Sequence, residues 1–216
     1  MKAVILVGGE GTRLRPLTCN IPKTMVPVLN KPFLERMIQN IRPYGISEVV
    51  LAMGYLPDRI QDYFGDGASL GVTITYVVES SPLGTAGAVK NVESLLKETF
   101  FVFNGDVFMD LDLGKMLAFH RDRKAQATIA LVPVENPSAY GVVVLDQGGR
   151  AQQFIEKPPK VSQPSNVINA GCYILEPGVL KYAPAGAPSM FERDLFPTIL
   201  RAGLPVYGLP SSGYWL

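Results

Sequence analysis

Cysteine, histidine and tryptophan are scarce in this sequence. Its 216 residues include two cysteines, one histidine and one tryptophan. Cys19 and Cys172 are too few for a disulfide framework and lack the spacing of a metal site, so we predict a protein of the reducing cytoplasm. No Ser-His-Asp or Cys-His arrangement can be built around the lone His120. This residue falls late in a predicted helix, where we expect a solvated side chain.

Long apolar runs and an excess of one charge are also lacking. No stretch reaches the roughly 20 apolar residues of a membrane span, and the apolar run over 3–7 is shorter than the core of a signal peptide. The 20 basic and 19 acidic residues leave a net charge of +1, which excludes a disordered charged tail and disfavours a nucleic-acid binder. We therefore predict a soluble, cytoplasmic protein with no membrane and no nucleic-acid partner.

The basic residues are concentrated near the N-terminus. Residues 1–31 contain five basic residues against the single acid Glu10, which is a local net charge of +4. A basic, glycine-rich segment on a nearly neutral chain favours a phosphorylated small molecule as the ligand.

Strand and helix patterns alternate through the first half of the chain. Short apolar runs predict strands over 2–7, 47–53, 72–78 and 100–104. Apolar residues at helical spacing predict helices over 32–41, 57–64 and 86–96. This order predicts an α/β fold with a Rossmann-like, mostly parallel sheet flanked by helices.

The pattern changes after Asp106. A helix over 113–123 precedes short strands over 127–134, 141–145, 151–155 and 167–175, which predict a smaller antiparallel or mixed extension of the sheet. Proline-rich stretches over 157–164 and 182–188 are expected to be surface loops. Because neither a linker nor a repeat is present, we predict one domain over 1–216 with two lobes, 1–106 and 107–216.

A glycine-rich segment, GGEGTRLRP over residues 8–16, follows the first predicted strand, where open α/β sheets bind ligands. Glycines there let backbone N–H groups approach a phosphate or a base. The segment lacks the third glycine of a dinucleotide-binding fingerprint and the Lys-Ser/Thr pair of a P-loop. An ordinary strand-to-helix turn is the alternative, although three glycines and two arginines together disfavour it.

Two charged residues stand where a phosphorylated ligand would bind. Lys23 lies between Pro22 and Pro27 on a restrained loop, which suits stabilisation of phosphoryl oxygens. Asp106 ends a buried strand, where a carboxylate and substrate phosphates can hold Mg²⁺ together. Asp112 is better explained as the N-cap of the following helix. A solvated loop lysine and a structural aspartate are the alternatives for Lys23 and Asp106.

A further charged pair, Glu156-Lys157, ends a later predicted strand just before Pro158. A carboxylate can bind sugar hydroxyls and an adjacent lysine can bind a phosphate. Neighbouring opposite charges are also common on protein surfaces, so the pair alone does not decide between the two explanations.

Taken together, the motifs resemble those of the sugar-1-phosphate nucleotidylyltransferases, also called NDP-sugar pyrophosphorylases. The matching segments follow the order of that family across nearly the whole chain: GGEGTRLRPLT, PKTMVPVLNKP, LGTAGAV, NGDV, YGVV, FIEKP and NAGCYILEP. The resemblance implies a reaction in which an NTP and a sugar 1-phosphate give an NDP-sugar and pyrophosphate.

The resemblance also implies roles for individual residues. Arg13 and Lys23 would be catalytic, with Thr12 and Arg13 on the departing phosphates and Lys23 on the α-phosphate. Asp106 would hold Mg²⁺. The nucleotide would bind at Leu6, Gly8, Gly9, Gly11, Thr12, Arg13, Gly84 and Thr85. The sugar phosphate would bind at Gly141, Glu156, Lys157 and Asn169.

Such a reaction needs no general base, because a phosphate monoester is already a nucleophile near neutral pH. The task that remains is in-line positioning and neutralisation of two anions. A site built from glycine, arginine, lysine and one aspartate, without histidine, suits this chemistry.

Three segments resemble the mannose-1-phosphate guanylyltransferase branch most closely: LGTAGAV, NAGCYILEP and MFERDLFP. We therefore predict GTP and mannose 1-phosphate as substrates. Glucose-1-phosphate thymidylyl- or uridylyltransferase activity is the alternative. A non-catalytic nucleotide or NDP-sugar sensor is an alternative of another class, disfavoured by the presence of Arg13, Lys23, Asp106 and Lys157.

One departure from the family pattern lies at the C-terminus. Relatives continue past the segment Tyr214-Trp215-Leu216 with an aspartate that supplies a second ligand for Mg²⁺, and many carry further elements that mediate oligomerisation. We therefore expect this sequence to be a truncated piece of a longer protein, with possible homo-oligomerisation through the missing region.

Overall fold

Strands and helices alternate up to Asn104 in the computed structural model, which describes residues 1–157 and 165–215. In chain order the strands are β1 (Lys2–Val7), β2 (Pro27–Val28), β3 (Lys31–Pro32), β4 (Glu48–Met53), β5 (Thr73–Val78), β6 (Phe100–Asn104), β7 (Ala127–Pro133), β8 (Gly141–Leu145), β9 (Ala151–Glu156), β10 (Val167–Leu175) and β11 (Val206–Pro210). The helices are α1 (Phe33–Ile41), α2 (Pro57–Phe64), α3 (Gly84–Asn91), α4 (Leu113–Asp122) and α5 (Phe196–Arg201).

One mixed sheet organises the described residues. Its order is β11-β7-β10-β6-β1-β4-β5, and the four strands β5, β4, β1 and β6 are mutually parallel. β10 runs antiparallel to β6 and β7, and the hairpin of β8 and β9 joins the sheet through β10. The predicted fold class, a Rossmann-like sheet flanked by helices with an antiparallel extension, is confirmed.

Both faces of the parallel core are buried. Alternate residues of β1 supply the two faces: Ala3, Ile5 and Val7 pack with α1, α2 and α4, whereas Val4 packs with α3 and α5. A strand buried on both sides must be apolar throughout. This burial explains the continuous apolar runs from which the strands were predicted.

Most predicted elements match the structure to within a few residues, and three differences have physical causes. The helix predicted over 86–96 begins earlier, at Gly84, and its α-helical part ends at Asn91, before a separate 3-10 turn over Glu93–Leu95. β11 was not predicted, because Gly208 and Pro210 are unfavourable in strands and only the pairing with β7 identifies the segment as one. α5 was also missed, and one π-helical turn over Phe191–Leu195 precedes it.

Asp112 caps α4 as predicted: its Oδ1 accepts a hydrogen bond from the backbone N–H of Lys115 at 3.0 Å. Of the predicted proline-rich loop over 157–164, residues 158–164 lie outside the described residues. Within the described part of the chain, no helix is both long and apolar enough to cross a membrane.

The prediction of a solvated His120 is wrong. The side chain is only 2% exposed, with Nδ1 at 2.8 Å from the Thr128 hydroxyl and Nε2 at 3.2 Å from a Glu176 carboxylate oxygen. His120 shares the buried face of α4 with Leu113 and Met116. The spacing of these three residues is a helical stripe, so the sequence did contain a signal for burial.

Burial of His120 makes the stability of this fold depend on pH. Burial lowers the pKa of His120, and the Glu176 carboxylate opposes the shift only in part. The unfolded chain, with a histidine pKa of about 6.5, therefore takes up this proton at a higher pH than the folded chain. The stabilisation by neutral His120 is complete above the unfolded pKa and is lost as the pH falls below it.

We expect His120→Gln to reduce this pH dependence, because it removes the titrating ring. The free energy of unfolding, measured with urea at about pH 7.5 and 5.5, should fall less in the variant than in the unmodified chain. His120 is the only histidine in the sequence, so a chain without a histidine tag isolates its contribution. Equal losses in the two proteins would contradict this prediction.

Candidate active site

A cleft of about 620 Å³ lies at the carboxyl ends of β1, β4 and β6. The turns after these strands supply much of its wall. Of the site residues predicted from the sequence, the following line the cleft: Leu6, Gly8, Gly9, Lys23, Gly84, Thr85 and Asp106. The cleft therefore occurs where the topology of an open α/β sheet places ligand sites.

Two of the lining residues, Lys23 and Asp106, form an ion pair. The Nζ atom of Lys23 lies 2.7 Å from Oδ2 of Asp106. The lysine is carried by a 3-10 turn over Lys23–Met25 that follows Pro22, and the aspartate stands two residues beyond the end of β6. Both side chains keep solvent access, at 32% and 45% exposure, so an incoming anion or cation can reach either charge.

The loop that contains Gly11, Thr12 and Arg13 lies beside the cleft. Gly11 adopts a φ of 64°, and a Cβ atom at this position would lie 2.9 Å from the Cβ of Lys23. Glycine therefore lets the loop pass close to the lysine. Thr12 and Arg13 are exposed and are absent from the cleft lining, so the structure does not bring them into the cleft with Lys23.

Gly84 and Thr85, which also line the cleft, begin α3. Two backbone N–H groups of this first turn, those of Ala86 and Gly87, donate to the Ser189 carbonyl at 2.9 and 3.0 Å. The Thr85 hydroxyl accepts a hydrogen bond from the Phe191 N–H at 3.0 Å. The two predicted residues thus line the cleft and also anchor the chain around residue 190.

The residues predicted for the sugar phosphate lie together on β8, β9 and β10, outside the lining of this cleft. Gly141 is opposite Glu156 in the β8–β9 ladder, and a Cβ atom on Gly141 would lie 3.1 Å from Glu156 Oε2. Lys157 is exposed, with Nζ at 3.9 Å from Oε1 of Glu156. Asn169 donates from Nδ2 to the Tyr173 hydroxyl at 2.7 Å and to Glu192 Oε1 at 3.0 Å.

Several residues at these sites were missed by the sequence reasoning. Asn104 and Glu79 line the cleft, and burial raises the pKa of Glu79, although its carboxylate accepts the backbone N–H of Leu83 at 3.0 Å. Tyr173 and Glu192 contact Asn169. Asn104, Tyr173 and Glu192 belong to the NGDV, NAGCYILEP and MFERDLFP segments and could have been singled out, whereas Glu79 carries no local signal.

Residues 2–216 match the sequence model of the family described as "Nucleotidyl transferase", a span that includes every site residue named above. The chain belongs to the nucleotidyl transferase family.

Two enzymes are similar to this nucleotidyl transferase over nearly the whole length of the chain. The chain is 44% identical over 215 residues to a mannose-1-phosphate guanylyltransferase of Mycobacterium tuberculosis, covering 99% of this chain and 59% of that protein. It is 39% identical over 230 residues to a UTP–glucose-1-phosphate uridylyltransferase of Synechocystis, covering all of this chain and 59% of the relative. The chain therefore spans about 60% of the length of these relatives.

Solved structures agree with the fold of this nucleotidyl transferase. HddC from Yersinia pseudotuberculosis, crystallised with GMP-PN, superposes with a TM-score of 0.83 at 30% identity over 100% of this chain and 92% of that one. A putative glucose-1-phosphate thymidylyltransferase from Bacillus anthracis gives a TM-score of 0.88 at 25% identity, over 100% and 88% of the two chains. These neighbours share the mixed sheet flanked by helices.

Gly84 provides a test of the contact between α3 and residue 189. Its φ is 70°, and a Cβ atom would lie 2.7 Å from the Ser189 carbonyl oxygen. Gly186 has a similar φ of 68°, but a Cβ atom there would meet open space, with no atom beyond the adjoining residues within 4 Å. Gly186 is therefore a matched control for backbone strain.

We expect Gly186→Ala to cost roughly 1–2 kcal/mol through strain alone. Gly84→Ala should lower the free energy of unfolding, measured with urea, by clearly more, because a steric clash adds to the same strain. Equal losses in the two variants would contradict the close contact with Ser189.

Proposed function

We propose that this chain is the catalytic region of a sugar-1-phosphate nucleotidylyltransferase, with GTP and mannose 1-phosphate as the substrate pair. Membership of the nucleotidyl transferase family supports the reaction class. The similarity to the mannose-1-phosphate guanylyltransferase of M. tuberculosis supports this pair over UTP or dTTP with glucose 1-phosphate. The products would be GDP-mannose and pyrophosphate.

The single observation that carries the proposal is the 2.7 Å contact between Lys23 and Asp106 in the lining of the cleft. A lysine beside exposed glycine backbone suits binding of phosphate oxygens. A carboxylate at the same place suits a hard cation that also takes phosphate oxygens. Both charges lie near the carboxyl ends of the parallel strands. This placement favours chemistry on a nucleoside triphosphate over simple binding of a neutral molecule.

The chain's own residues would carry out the reaction by positioning and charge neutralisation. Backbone N–H groups of Gly8 and Gly9 would hold phosphate oxygens, and the wall formed by Gly84 and Thr85 would hold the base. Lys23 would stabilise negative charge that grows on the α-phosphate during in-line attack. Arg13, exposed beside the cleft, would bind the departing pyrophosphate.

The second substrate would bind in the lobe that we assign to residues 107–216. Glu156 would accept hydrogen bonds from sugar hydroxyls, and the exposed Lys157 would bind the sugar phosphate, which is the attacking nucleophile. No side chain needs to remove a proton, because the phosphate monoester is already an anion near neutral pH. The nucleotide would bind in the lobe over 1–106.

Asp106 is the residue that fits Mg²⁺. It is 45% exposed at the cleft, and within residues 1–157 and 165–215 no group of three or more His, Cys, Asp or Glu side chains is arranged to hold a metal ion. One carboxylate together with substrate phosphates would therefore provide the oxygen ligands that Mg²⁺ prefers. Bound there, Mg²⁺ would neutralise phosphate charge.

A substrate panel tests the proposed function. The chain is mixed with Mg²⁺, each of GTP, ATP, CTP, UTP and dTTP, and either mannose or glucose 1-phosphate, and the release of pyrophosphate is measured. We expect the fastest release with GTP and mannose 1-phosphate. Faster release with UTP or dTTP and glucose 1-phosphate would assign the alternative substrates, whereas nucleotide binding without release from any pair would favour a sensor.

Lys23→Ala tests the catalytic role of the lysine. We expect turnover to fall by about 10²-fold or more, because a donor to the transition state is lost. Lys97→Ala is the matched control, since Lys97 is exposed near the amino end of β6, the opposite edge of the sheet. Near-normal pyrophosphate release by Lys23→Ala would refute the role.

A further inference from the structure

Residues 189–192, the connecting segment, join the two sides of the site. At one end, the Ser189 carbonyl accepts hydrogen bonds from Ala86 and Gly87, and the Phe191 N–H donates to the Thr85 hydroxyl at 3.0 Å. Met190 lines the nucleotide cleft between these anchor points. The connecting segment is therefore held against the N-terminal turn of α3.

At its other end, the connecting segment brings Glu192 to β10. The Glu192 Oε1 atom accepts a hydrogen bond from Asn169 Nδ2 at 3.0 Å and lies 3.4 Å from the Tyr173 hydroxyl. The π-helical turn that contains Glu192 packs against β9, the strand that ends at Glu156. Glu192 thus stands next to both Asn169 and the strand of Glu156.

These contacts use most of the hydrogen-bonding capacity of Asn169. Its Nδ2 donates to Tyr173 at 2.7 Å and to Glu192, and its Oδ1 accepts the backbone N–H of Gly171 at 3.0 Å. A primary amide has two N–H donors and two acceptor lone pairs. One lone pair on Oδ1 remains, so Asn169 in this orientation can meet a sugar hydroxyl only as an acceptor.

The surroundings keep this arrangement fixed. Tyr173 is fully buried, and burial raises the pKa of its hydroxyl well above the ordinary value, so the hydroxyl stays protonated. Burial also raises the pKa of Glu192, and the negative charge of Glu156 raises it further. Glu156 ends β9, the strand against which the π-helical turn of Glu192 packs.

We propose that Glu192 is a positioning residue for the sugar 1-phosphate: with Tyr173 it orients the Asn169 amide so that Oδ1 accepts a hydrogen bond from a sugar hydroxyl. The inference rests on the proposed function, in which Asn169 binds the sugar. Because the same segment is anchored on α3, it also fixes the distance between the sugar side and the nucleotide side.

Two substitutions at Glu192 test the role. Glu192→Leu removes the acceptor but keeps much of the side-chain volume, and it should raise the KM for sugar 1-phosphate by about 10-fold or more, as for a lost hydrogen bond to a charged group. The KM for the NTP should stay within about 2-fold, because a loss confined to one substrate's binding leaves the other unchanged. Glu192→Gln keeps an acceptor oxygen and should restore most of the sugar affinity.

Tyr173→Phe removes only the hydroxyl and should raise the same KM without changing the KM for the NTP. If Glu192→Leu does not fold, Tyr173→Phe tests the proposal in its place. Glu98→Gln is the matched carboxylate control, because Glu98 is exposed near the amino end of β6. Tyr182→Phe is the tyrosine control, since Tyr182 follows the far end of β10.

An unchanged KM for sugar 1-phosphate in folded Glu192→Leu would overturn the positioning role. An equal rise in both KM values would also overturn it, because that result marks a general disturbance. If the unmodified chain releases no pyrophosphate, the proposed function fails, and the NMR signals of the Asn169 side-chain amide then report on the orientation alone. In Glu192→Leu, a shift of these signals to those of a solvated amide would support the role of Glu192 in orienting Asn169. Unchanged signals would refute that role.

Discussion

The parallel pairing of β1 with both β4 and β6 determines where the site forms. Leu6 lies opposite Ala52 on one side and Asn104 on the other, so the three strands end level with one another. The turns that follow these three strands therefore start at the same end of the sheet. Lys23 and Asp106, which are 83 residues apart in sequence, meet at 2.7 Å because one reaches this edge from the loop after β1 and the other stands just beyond β6.

The second half of the chain supplies the residues that were predicted to bind the sugar phosphate, which lie outside the parallel core. β10 runs antiparallel to β6 and brings Asn169 close to the same edge, while the β8–β9 hairpin contributes Glu156. Hydrogen bonds between α3 and the residues Ser189 and Phe191 then connect the second half of the chain to the first. Under the proposed function both substrates are anions, so a fixed distance between the two parts would matter as much as the charges within each part.

Much of the fold was predictable, because strands buried on both faces leave continuous apolar runs and amphipathic helices leave a 3.6-residue period. Gly8 and Asp106 could be singled out as candidate site residues because each comes just after such a strand. His120 shows where this reasoning failed: its polar neighbours Arg121 and Arg123 suggested solvent, whereas the stripe it shares with Met116 faces the sheet. Glu192 lies in the MFERDLFP segment, but nothing near it in sequence indicated its partner Asn169, which is 23 residues away.

Local patterns in the sequence were enough to predict the fold class, the end of the sheet at which the cleft lies, and residue types suited to a phosphorylated ligand. These properties depend on local patterns: apolar periodicity, turn glycines and the position of charges relative to strands. Only the tertiary structure decided that Lys23 pairs with Asp106, that Arg13 stays outside the cleft, and that Asn169 is held by Tyr173 and Glu192. Such contacts depend on strand order and register, which bring distant residues together, and no local pattern encodes that proximity.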